Sequence, residues 1–190
     1  MWSLLDIIGA SALGGVVILL VISLNLQMNS LSTEIILNNL SQSNTSVTTE
    51  IVKYDFYKIG YKVSGDKISL ADSTEIKFFS DIDDNNTIDT VYYRFSSTNV
   101  DSGLTKNPNK RLLRKENNNP SNTYALLDQF KISYYDSIGN LLSYSNLTSP
   151  IQRKKIRSIG LFMRHSAEAA INSVYQQTDW FTKIRPKNLR

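Results

Sequence analysis

The run DIDDNNTID at 81–89 gathers acidic and amide oxygens at alternate positions. Ca²⁺ takes roughly six to eight oxygen ligands, and a tight loop can bring such side chains to one point. Asp81, Asp83, Asn85 and Asp89 would supply side-chain oxygens, and Thr87 a backbone carbonyl. Asn86 stands where an EF-hand loop has Gly, and Asn tolerates the left-handed conformation. The closing bidentate Glu of such a loop is missing, because the corresponding position is Tyr92. The competing reading is a polar hairpin turn, since Asp and Asn bond to their own backbone. The chain requires no cofactor on either reading, and calcium is the one ion for which the sequence offers a donor set.

A second constellation is cationic. Arg153, Lys154, Lys155 and Arg157 lie within five residues, in a segment 151–190 that also holds Arg164, Lys183, Arg185, Lys187 and Arg190. Glu168 and Asp179 are its only acids. Such a segment attracts phosphates, DNA or an anionic surface. A solvated, charged face is the plainer expectation, because Lys and Arg are mostly exposed.

Other chemistry is thin. The chain of 190 residues has no Cys and one His, His165. That excludes disulfides, thiolate metal sites, Cys nucleophiles and clustered-His zinc. His165 is expected to be an exposed or hydrogen-bonded strand residue. No Walker or dinucleotide motif occurs, and no Ser or acid sits in a recognisable catalytic context. The composition leans away from an enzyme. Asn-X-Ser/Thr sequons occur, as chance dictates in so Asn-rich a chain.

These residues need elements to position them. From Ile7 to Leu26 no side chain is charged. About 20 apolar residues cross the hydrocarbon core as one helix, and a soluble buried helix rarely stays apolar all round for so long. Ala10 and Gly14, like Ser11 and Gly15, are small residues four apart, a spacing that lets helix backbones approach closely in lipid. Asp6 puts a carboxylate at the membrane edge, where an ionisable group needs a partner or the interface.

No Lys or Arg precedes Lys53, and Asp6, Glu34 and Glu50 are the acids there, so that stretch carries −3 and the rest +7 of the net +4. Neither end of the span has the basic flank that sets orientation. The long domain after the span implies that the N-terminus stays inside and the C-terminus is exported.

The helical period continues past Leu26 through Leu31, Ile35 and Leu40. The polar patch SQSNTSVTTE at 41–50 weakens it. IVKYDFYKIGYKV then resumes an amphipathic pattern, with Ile51, Tyr54, Ile59 and the nearby aromatics on or near one face, and Gly60 ends the helix or permits a close contact. The expected organisation is a span at 1–27, a helical stalk at 28–64 and a β-rich domain at 65–190.

Candidate strands are 67–70, 75–79, 88–95, 111–115, 125–135, 141–144 and 156–164, all rich in β-branched and aromatic residues. SIGN at 137–140 is a turn, and 107–110 and 116–122 are loops. A long helix followed by sequential hairpins predicts an α+β fold with a mostly antiparallel sheet packed on the helix.

This plan resembles the pseudopilins and minor pilins of type II secretion and type IV pilus systems, the J-type pseudopilin and W-type minor pilin group in particular. WSLLD at 2–6 before the apolar run is similar to the mature start of that family, with Asp6 where the family has Glu. YDFYKIGYKV at 54–63, FFSDIDDNNTIDTVYYRF at 78–95, ALLDQFKISYYDSIGN at 125–140 and WFTKIRPKNL at 180–189 resemble its helix end, hairpin, later strand and C-terminal tail. In the family a short basic leader ending in Gly precedes the mature start and is removed. Here Met1 alone precedes Trp2.

The resemblance implies a pilin-like fold and a single pass through the inner membrane, with the domain periplasmic or extracellular. It implies sister pilin subunits, an inner-membrane assembly platform and the lipid bilayer as partners, and pairing of Asp6 with a neighbouring subunit's amine. A structural subunit of a filament is the first expectation. A membrane-tethered module binding DNA or anionic surfaces through Arg153, Lys154, Lys155 and Arg157 is the alternative.

Overall fold

A computed structural model describes residues 2–99, 110–171 and 174–189. The loop expected at 107–110 lies outside them except for Lys110, as do Met1 and the cation Arg190. One helix, α1, runs unbroken from Trp2 to Tyr57. Its 56 residues make a rod of about 84 Å at about 1.5 Å per residue. Gly60, with φ of 77°, turns the chain sharply after it. A Cβ there would stand 2.7 Å from Lys67 Cδ, so both the backbone angle and the close packing demand glycine.

An α+β architecture follows, built from two antiparallel sheets. The first has the order β1 (Ile68–Ala71), β2 (Glu75–Ser80), β3 (Asp89–Asn99), β4 (Lys110–Glu116), β5 (Asn122–Leu127). The second has the order β6 (Gln129–Tyr135), β7 (Ser158–Ile171), β8 (Val174–Ile184). Between β6 and β7 lie a 3₁₀ turn at Asn146–Thr148 and the one-turn helix α2 at Pro150–Arg153.

The C-terminal part of α1 docks on this head, and among the described residues its buried positions begin at Thr45. Thr45, Thr48, Thr49, Val52, Asp55 and Phe56 are buried, as is Ile59 just past the helix. Spacings of three and four place them on one stripe. Phe56 lies at the centre, with ring centroids 5.8 Å from Phe78 and 5.6 Å from Tyr93. Such aromatic pairs add about 0.5–1.5 kcal/mol each beyond the area they bury.

This phase corrects the sequence reading. Ile51 and Tyr54 face outward and Val52 faces in. Nor does the polar patch at 41–50 interrupt the helix, because its threonines begin the docked stripe. Tertiary packing overrides their modest helix propensity.

Three strand expectations and the expected C-terminal tail also change. The segment 125–135 is two strands in different sheets. The break falls at Asp128, whose N–H donates to Arg164 O at 2.9 Å and whose carboxylate accepts the Ser166 hydroxyl. Residues 141–144 form no strand, only a bridge from Leu141 to Tyr135. The turn before it is closed by Asp136 Oδ1, which accepts the N–H groups of Ile138 and Asn140 at 3.0 and 2.8 Å. The strand expected at 156–164 runs on to Ile171 as β7. The end of the chain is not a tail: WFTKI belongs to β8, paired along β7 from Ile184 to Val174.

Candidate functional site

The N-terminal part of α1 presents its chemistry outward. From Ser3 through Thr33 every residue is exposed. One stretch of this helix is long and apolar enough to cross a membrane, with a mean hydropathy of 2.6. Ala10, Ser11, Gly14 and Gly15 lie there, and Asp6 sits one turn nearer the N-terminus. A Cβ added at Gly9, Gly14 or Gly15 would meet nothing within 4 Å. The small-residue face is therefore open to an incoming helix. Ser11 donates its hydroxyl to Ile8 O at 2.9 Å, so it adds no unsatisfied polar atom to that face.

The head is clamped to α1 by a buried polar network. Asp55 accepts Arg114 Nε and the Tyr93 hydroxyl, each at 2.7 Å. Arg114 also reaches Glu116 at 2.7 Å. Burial opposes the charge on Arg114, but the Asp55 and Glu116 carboxylates together outweigh it and raise its pKa. Burial first, then Asp55, pushes the Tyr93 phenol well above its ordinary value. The pattern of apolar residues carries no signal for this network, because its partners lie 38 and 59 residues apart along the chain.

The loop 81–89 closes on itself and on Lys62. Asp81 is buried. Its Oδ1 accepts the N–H of Asn85 at 3.0 Å and its Oδ2 that of Asn86 at 2.9 Å. Lys62 Nζ lies 2.9 Å from Asp81 Oδ2, 2.7 Å from Asp84 Oδ1 and 2.6 Å from Asn86 Oδ1. This ammonium holds the Asp81 and Asp84 carboxyls below their usual range, and they raise the pKa of Lys62.

Asp84, Asn86 and Lys62 all have positive φ, and Asn86 thus adopts the left-handed conformation expected of it. Of the proposed calcium ligands, Asp81, Asp83 and Asp89 come together, with oxygens within 4.8 Å of one another. Asn85 turns its Oδ1 to the N–H of Thr87 at 2.7 Å. Asp89 accepts the N–H of Ile82 at 3.1 Å and Asn117 Nδ2 at 2.7 Å. The carboxylates therefore fit a calcium set only in part, since an internal cation and backbone donors already bind most of their oxygens. Lys62 was not identifiable from the motif, being 19 residues away from Asp81.

The cationic cluster does not form a free stripe. Arg153 donates Nε to Ile68 O at 3.1 Å and Nη1 to Leu147 O and Thr148 O at 3.0 and 2.7 Å. Arg157 donates Nη1 to Lys154 O and Ile156 O at 2.6 and 3.0 Å. Lys154 pairs with Asp66 at 3.0 Å, and Lys155 is exposed. Arg164 makes a two-pronged pair with Asp179, both contacts at 2.6 Å. His165 is buried in β7, opposite Thr178 of β8.

Searches against protein-family models, curated proteins and solved structures return no match.

Proposed function

We propose that the chain is a membrane-anchored pseudopilin or minor pilin, a structural or assembly subunit of a type II secretion or type IV pilus-like filament. The observation that carries this reading is the contrast along one unbroken helix. Its residues from Ser3 through Thr33 are exposed and include the uncharged apolar run 7–26, whereas from Thr45 onward one stripe of it is buried against an antiparallel head. The subunit sits in the inner membrane with its N-terminus inside and its head outside. The apolar helix waits in lipid until an assembly platform extracts it, and the same surface then packs against neighbouring helices. Asp6 compensates a buried amine there.

The chain lacks Cys, so single-Cys variants test the packing directly. Ser11→Cys, combined with a Cys introduced at the facing position of a sister subunit and an added thiol oxidant, is expected to yield helix-to-helix disulfide cross-links in native membranes, and Asp6→Ala to lower their yield. No cross-link at Ser11 under conditions that assemble the machine would remove the filament reading. Unchanged yield with Asp6→Ala would remove the charge-pairing role alone. The DNA-binding alternative has less support, because Lys154 and Arg164 are paired with Asp66 and Asp179, so the described cations form no continuous stripe along which a nucleic-acid backbone could run.

A further inference from the structure

The cations around Arg153 line a cleft. It holds about 320 Å³ between the turn after α1 (Ser64, Asp66, Lys67), the α2 region (Arg153, Lys154, Arg157) and Leu189. That volume is at the lower end of those that take small ligands. Among the described lining residues there are four cations and one acid, Asp66, which Lys154 neutralises at the exposed rim.

The other three cations are held by neutral partners. Lys67 Nζ donates to Asn188 O, and Arg153 and Arg157 bond only backbone carbonyls. Those bonds fix the side chains without cancelling their charge. Arg153 keeps Nη2, and Arg157 keeps Nε and Nη2, without a partner among the described residues. A concave site in which three preset positive charges have no acidic partner among the described residues focuses potential on an anion, and guanidinium edges match the oxygens of phosphate.

We propose that this cleft binds a small multivalent oxyanion of the phosphate class from solution. Lipid headgroups of the chain's own bilayer do not reach it. From Leu26 to Tyr57 the helix rises about 46 Å at about 1.5 Å per residue, and Lys67 packs against Gly60 beyond that end.

The test is titration of full-length protein in detergent micelles with inorganic pyrophosphate, followed by backbone amide shifts. Saturable shifts at 64–68 and 153–157, with Kd below about 1 mM, are expected. Arg157→Gln should weaken binding about tenfold or more, the usual effect of losing a charge-assisted bond. Lys131→Gln, at an exposed position of β6 outside the cleft, should leave it unchanged. If Arg157→Gln perturbs the fold, Lys154→Gln at the rim serves instead, with a smaller loss. Shifts that do not saturate by about 10 mM, or that Lys131→Gln weakens equally, would overturn the proposal. So would citrate binding as tightly as pyrophosphate, which would reassign the cleft to carboxylates.

Discussion

The two parts of α1 satisfy their side chains in different ways. Between Ile7 and Leu26 apolar residues occur on every face and remain exposed. From Thr45 onward the helix is more polar, yet one stripe of it is buried, and that stripe contains three threonines and an aspartate. Hydropathy therefore identifies which part of this helix needs another apolar medium. It does not identify which part docks on the head. Docking depends on phase and on a few partners: Phe56 in its aromatic cage, and Asp55 with Arg114 and Tyr93.

Point changes on either side of that divide should separate the two parts. The largest effect is expected from Phe56→Ala, which should cost the head about 3–5 kcal/mol in denaturant melts. Ile36→Ala, nearer the apolar end of the rod and exposed, should stay within about 0.5 kcal/mol. Equal losses would erase the distinction between docked and undocked helix. Arg114→Met strands a buried carboxylate and should cost about 3 kcal/mol. The double variant with Asp55→Leu should recover part of that loss, as a double-mutant cycle would show.

A charge at the middle of the apolar stretch, Leu19→Arg, should oppose membrane insertion by about 2.5–3.5 kcal/mol. That effect is read as the fraction of chains integrated, and the melt of the head should not change. The smallest effect is a pH response in loop 81–89. Asp81 and Asp84 have lowered pKa values in the fold. Their contribution is therefore complete above the unfolded value of about 3.9 and is lost as pH falls through the folded values. Protection of the Asn85 and Asn86 amides, measured relative to their intrinsic exchange rates, should hold from pH 7 to about 5 and fall only below about 4. Loss of protection near pH 6 would contradict the role given to Lys62.

Much of the head was legible in the sequence. Alternating β-branched and aromatic runs marked β1 to β4, and SIGN and DIDDNNTID marked turns. The remainder depended on long-range partners. Ala125 to Tyr135 reads as one strand, and only Asp128 within it hints that the chain passes from one sheet to the other. β8 carries Gln176, Gln177 and Asp179 in its run and so lacks a clean apolar alternation. Its place is fixed by β7. In the candidate sites, the acidic loop was visible but its counter-ion Lys62 was not. The cations at 153–157 were visible, but not the carbonyls that hold two of them or the cleft they share with Lys67.

Residues 27–44 contain neither Gly nor Pro, and α1 passes through them without a break. The stalk therefore fixes two coordinates together. Each residue sets about 1.5 Å of height and about 100° of azimuth. The compass bearing of the head, relative to the face of Ala10 and Gly14, is thus written in the count of residues between them. Deleting one stalk residue would barely lower the head, yet it would swing the cleft and the acidic loop by more than a quarter-turn. Deleting seven would lower the head by about 10 Å and leave its bearing nearly intact. Length in this chain is a dial as well as a ruler.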